Sequence, residues 1–178
     1  MCKLWYSIAV STPGLWNLIV INDTTPLSKI DVWLKRSGSV VLEVVIDISA
    51  GVEPDKLAAI GDRLLGHVQR LQTFECQVAG EGAMKAITMF MRGHSLPSLR
   101  KLGLNDETDD YQDDADEEEI ETPILDLFSK SVLLPQLAEV SLWSTAIHLQ
   151  QIPSANLLKL ELSYIPRRRS LPLDNFWD

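Results

Sequence analysis

The chain has 178 residues, 46% of them hydrophobic, which suffices for one domain with its own core. No apolar run approaches the ~18 residues that span a bilayer, no secretory leader opens the chain, and two cysteines without a CxxC or a His/Cys cluster exclude a disulfide framework or a zinc site. The formal net charge of −9 is an average dominated by one acidic stretch, and the chain offers no basic face for nucleic acid, so a soluble intracellular protein, cytoplasmic or nuclear, is expected.

The chain opens on residues 1–12, which precede the first copy of any repeat. After them a six-residue pattern, apolar-x-x-apolar-x-apolar, keeps returning. It reads Leu15, Leu18, Val20, then imperfectly Ser39, Leu42, Val44, then Leu71, Phe74, Cys76. It continues as Leu99, Leu102, Leu104, as Leu137, Val140, Leu142, and as Leu157, Leu160, Leu162. The last two apolar positions of each copy lie on one face of a short strand, and the first turns into the same core. One copy cannot bury that face alone. Stacked copies can, which predicts a solenoid of parallel strands over residues 13–166.

Parallel strands need crossovers, usually helices. Thr25-Pro26 starts one, with Leu27, Ile30, Trp33 and Leu34 at helical spacing, Lys35 and Arg36 in the last turn and Gly38 as the stop. Glu53-Pro54-Asp55 starts the next, carrying Leu57, Ile60, Leu64, Leu65 and Val68. A third holds Met84, Ile87, Phe90 and Met91 before Gly93. Thr122-Pro123 starts a fourth, with Ile124, Leu127 and Phe128, whereas Thr145 to Ser154 is too short for a full helix. Between the fourth strand and that fourth helix, Asn105 to Glu121 contains eleven acids and no base. Outside it 14 acids face 16 bases, so the body is near +2 and the stretch is expected to be an external disordered insertion.

Chemistry-bearing motifs are weak. His67, His94 and His148 are scattered, Gly80-Glu81-Gly82 with Lys85 lacks the spacing of a phosphate loop, and no GxSxG is present. No catalytic residue, metal or cofactor is therefore expected. Trp5, Trp16 and Trp33 read as core, but Trp143 directly follows a core Leu142 and points to the opposite, open face of the sheet. Ile19, Ile21, Val45, Glu75, Gln77, Lys101, Lys159 and Glu161 are expected to share that face with it, forming a surface for a protein partner. An equal reading has the tail from Arg167 to Asp178, with Leu171, Leu173, Phe176 and Trp177, folding back over part of it.

Met1 to Ala9 resembles the last helix of an F-box in the form common among mushroom-type fungi. Ser11-Thr12-Pro13-Gly14-Leu15-Trp16 is similar to the junction that follows it there, and Trp33 to Ser39 to a further recurring segment. The resemblance implies a leucine-rich-repeat-like α/β solenoid serving as the substrate-recognition subunit of an SCF-type ubiquitin ligase. Leu4, Trp5 and Ile8 would then belong to the adaptor-docking unit. The family's opening Leu-Pro-rich helices do not precede Met1, so a truncated F-box is expected. Two alternatives stand beside this: a stand-alone repeat protein without a ligase role, and a doubly wound α/β enzyme, which would want a Gly-rich turn straight after a strand.

Overall fold

A computed structural model gives the structure of the chain; the residues it describes are 2–49, 52–107, 124–125, 127, 134–147, 152 and 154–163. The features expected at Thr122-Pro123, Phe128, His148, most of the acidic stretch and the tail from Arg167 lie outside them.

The elements alternate as the periodicity implies. Helix α1 (Lys3–Ser11) precedes strand β1 (Leu18–Asn22), then come α2 (Leu27–Arg36), β2 (Leu42–Ile48), α3 (Pro54–Leu65), β3 (Leu71–Val78), α4 (Glu81–Thr88) and β4 (Lys101–Asp106). Strands β5 (Ile124–Leu125), β6 (Glu139–Trp143), β7 (Ala146–Ile147) and β8 (Lys159–Ser163) complete the described chain. Six of these strands form one all-parallel sheet in the order β1-β2-β3-β4-β6-β8. The fold is thus α/β, with a parallel sheet joined to helices. Among the described strands the order follows the chain without reversal, and no switch point of the doubly wound kind appears among them.

The sheet is in register across its width. Ile19, Val44, Phe74, Leu102, Val140 and Leu160 form one row, and Ile21, Ile46, Cys76, Leu104, Leu142 and Leu162 the next. Both rows are buried except at the β8 edge, where Leu160 and Leu162 are half-buried. They share one core with Ile30 and Leu34 of α2, Leu57, Ile60 and Leu64 of α3, and Met84 and Ile87 of α4. The helices therefore cover one face of the sheet, and the apolar rows opposite them supply the surface whose burial drives the stacking.

Local chemistry sets the crossovers. Gly38 takes φ 55° just past α2, a conformation costly for a side chain, and so ends that helix. Thr25, expected as a cap, instead closes the turn before α2. Its hydroxyl accepts from Asn22 N at 3.0 Å and donates to Asn22 Oδ1 at 2.8 Å. Gly61 lets α3 approach the end of α4, because a Cβ there would sit 3.4 Å from Ile87 O and 3.5 Å from the Phe90 ring. Phe90 in turn meets Phe74 edge-on, with centroids 5.4 Å apart.

Arg70 ties the second crossover to the first. Its Nη1 donates to Ser37 Oγ and to Val40 O, each at 2.9 Å, and its Nη2 to Leu34 O at 3.1 Å. A cation thus closes the carbonyl end of α2, where the helix dipole is negative. Arg63 of α3 adds a charge contact, its Nε 3.0 Å from Asp31 Oδ1 of α2.

Five expectations need correction. Ile19 and Ile21 are fully buried, while Leu18 and Val20 are 52% and 45% exposed, so the first copy of the repeat is shifted by one residue. Leu18 to Ile21 is a continuous apolar run in which alternation gives no phase; pairing with Val44 and Ile46 chooses it. Trp16, not Leu15, is the residue that turns inward. It is half-buried beneath the Arg36 guanidinium, and its Nε1 donates to Ala9 O at 2.6 Å. Trp5 is 67% exposed, because α1 has no buried residue and touches the body through Pro13–Trp16. Finally, Ile124–Leu125 is a short strand pairing in parallel with Ala146–Ile147, not the start of a helix, and Asn105 and Asp106 of the acidic stretch belong to β4.

Candidate functional site: the open face of the sheet

Side chains alternate across a strand, so burying two rows on one face sends the intervening residues to the other. No described helix covers that second face. Its residues again align. Leu18, Glu43, Thr73, Lys101, Glu139 and Lys159 form the first row. Val20, Val45, Glu75, Gly103, Ser141 and Glu161 form the second, and Asn22, Asp47, Gln77, Asn105, Trp143 and Ser163 the third.

The structure places the expected residues Val45, Glu75, Gln77, Lys101, Trp143, Lys159 and Glu161 on this face, and turns Ile19 and Ile21 away from it. Over the middle of the face the charges alternate. Glu75 leans across Gly103, where a Cβ would lie 3.3 Å from Glu75 Cγ, and its carboxylate pairs with Lys101 Nζ. The lack of a side chain at Gly103 is what opens this path. The hydrogen bond to Glu75 raises the Lys101 pKa against the opposing effect of burial, and the charges of Glu75 and Glu139 add to the rise. Further along, Lys159 Nζ sits 3.0 Å from Glu161 Oε2. Gln77 Nε2 donates to Glu107 Oε1 at 2.6 Å. Trp143, 44% exposed, stands next to last in the third row, between Asn105 and the edge residue Ser163.

The β1–β2 end is different in kind. Leu18 and Val20 are exposed there beside half-buried Val45, and Glu43 and Asp47 flank Val45 on its own strand. The sequence reading overlooked Leu18, Val20 and Asp47, because it gave β1 the wrong phase and followed β2 only as far as Val45.

No family model, curated protein or solved structure gives a significant match to this chain.

Among the described residues no group of three or more His, Cys, Asp or Glu side chains could hold a metal ion, and no helix is long and apolar enough to cross a membrane. Cys76, in a core row, has its thiol pushed up to about 12 by burial, the opposite of what a nucleophile needs. Leu4, Trp5 and Ile8 are exposed on α1. Their face is available for contact, but it belongs to a separate element from the open sheet.

Proposed function

We propose that this chain is a protein-interaction scaffold: a leucine-rich-repeat-like solenoid that acts by displaying side chains and performs no catalysis. The observation that carries the reading is the one-sided sheet. Six parallel strands bury their rows on one face and hold the opposite residues in straight, regularly spaced lines. Strand spacing of ~4.8 Å and ~3.3 Å per residue make such a face a rigid grid for a partner's side chains. Rigid display limits the entropy lost on association, which favours binding.

The resemblance of Met1 to Ala9 and Trp33 to Ser39 to mushroom-type F-box proteins supports a role as a substrate-recognition subunit of an SCF-type ligase in the cell interior. Exposure of Leu4, Trp5 and Ile8 is compatible with adaptor docking through α1. The test is capture of purified adaptor subunit by the full chain. Retention by the native chain, and its loss in the Leu4→Ala, Trp5→Ala, Ile8→Ala variant, is the expected result. Those side chains are exposed, so the variant should fold normally. No retention by the native chain would leave a stand-alone repeat protein.

A further inference from the structure

The open face is uneven, and the unevenness specifies a ligand. Glu75 and Lys101 neutralise each other, as do Lys159 and Glu161, and Glu139 lies in the row between the two lysines. At the β1–β2 end there is no such compensation. Glu43 and Asp47 have no described cationic partner, and the aliphatic patch of Leu18, Val20 and Val45 lies between and beside them.

Spacing adds a second constraint. Glu43, Val45 and Asp47 are alternate residues of one strand, so their side chains emerge on one side, with the outer two roughly 13 Å apart. An extended peptide has the same repeat. A base at each end of a five-residue segment, with an aliphatic residue at its centre, would set both cations over the carboxylates and the aliphatic group over Val20 and Val45. Such a ligand matches the patch in charge, polarity and period together. Nucleic acid and anionic membrane surfaces would meet uncompensated carboxylates and are disfavoured.

We infer that the β1–β2 end of the open face, built from Leu18, Val20, Glu43, Val45 and Asp47, docks an extended partner segment of the form base-x-aliphatic-x-base. This rests on the scaffold reading and names the chemistry of its partner.

The experiment titrates the full chain into fluorescently labelled peptides at low salt and follows anisotropy. The probe contains Arg-Thr-Leu-Thr-Arg. Three controls replace both arginines by glutamate, replace leucine by serine, or move leucine one position out of phase. The probe should bind, and each control should bind at least several-fold more weakly. Each exposed ion pair contributes up to about fivefold in affinity, so the E43Q/D47N variant should weaken probe binding about five- to tenfold. L18S/V20T should weaken it several-fold, and neutralising the acids from Asp109 to Glu121 should leave it unchanged.

Absence of binding overturns the inference, as does indifference to E43Q/D47N. Loss of binding on neutralising Asp109 to Glu121 would assign the effect to that acidic stretch and overturn it too. Binding that emerges only in R167Q/R168Q/R169Q would make the chain's own basic triplet the occupant, again overturning the external partner. If the probe responds to W143A but not to the β1–β2 variants, this inference falls while the scaffold reading stands. If it binds but no open-face variant changes its affinity, both fall.

Discussion

Replacing Arg70 by methionine tests how one crossover is fastened to the next. Methionine keeps an apolar stem of similar reach and removes the guanidinium, which donates to Ser37 Oγ, Val40 O and Leu34 O over 2.9–3.1 Å. The three bonds are not equivalent losses. Ser37 Oγ still donates to Leu34 O at 2.9 Å, so those two groups retain each other. Val40 O loses its guanidinium donor, and the α2 carbonyl end loses its cation. The net effect should equal one to two charge-assisted hydrogen bonds, about 2–4 kcal/mol. That is a large share of the roughly 5–15 kcal/mol that stabilises an ordinary domain. Urea unfolding followed by circular dichroism is the assay, with the midpoint expected to fall by about 1–2 M at unchanged slope. Arg70→Lys should recover at most half of the loss, because one ammonium cannot span acceptors arranged for a planar fork. A loss below about 0.5 kcal/mol in Arg70→Met would refute the claim that this side chain fastens the crossovers, since it would then be worth no more than a typical surface substitution.

Three other outcomes follow from the same structure. His67 Nδ1 lies 3.3 Å from Arg70 Nη2, and burial, followed by the Arg70 charge, holds the His67 pKa below 6.5. The unfolded chain therefore binds the proton more readily. The contribution is at its most favourable above pH 6.5 and is lost as pH falls through 6.5 towards the depressed folded value; urea midpoints between pH 7.5 and 5.5 should show this slope, and His67→Gln should flatten it. Cys2 is exposed and Cys76 is buried with its pKa at about 12, so a thiol reagent at pH 8 should titrate one group in the native chain and two in denaturant. Leu4, Trp5, Tyr6 and Ile8 leave α1 with an uncovered apolar surface, so the chain should self-associate in sedimentation runs and Leu4→Glu with Ile8→Glu should shift it towards monomer, whereas a single sharp monomer boundary for the native chain would contradict this.

Strands β2, β3, β4, β6 and β8 were legible because each contains apolar residues two apart with a third apolar or small residue ahead of them. Their helices were legible where a proline start and a 3.6-residue period coincide, as in α2 and α3. The failures are informative in the same terms. Leu18 to Ile21 offers four apolar residues in succession, so its inward pair is fixed by the neighbouring strand and not by local alternation. Ile124 and Leu125 follow a cap-like pair yet enter a two-residue ladder with Ala146 and Ile147, a non-local partnership that propensity does not encode. Trp5 looked like core because of its size and spacing, but α1 buries no residue and leans on the Pro13–Trp16 turn. The candidate site suffered accordingly. Its centre, from Glu75 to Glu161, followed from simple alternation, while the Leu18 and Val20 corner was hidden by the phase error.

The strand order has a consequence for how the molecule loosens. Each described ribbon of the sheet leans on the one before it and the one after it, and the two outermost, β1 and β8, are also the first and last of the described strands. Amide hydrogens in β3 should therefore be the slowest to exchange with deuterated solvent, and the rates should climb towards both margins. A partner gripping the β1 margin would slow exchange there, turning the loosest border into a clasped one.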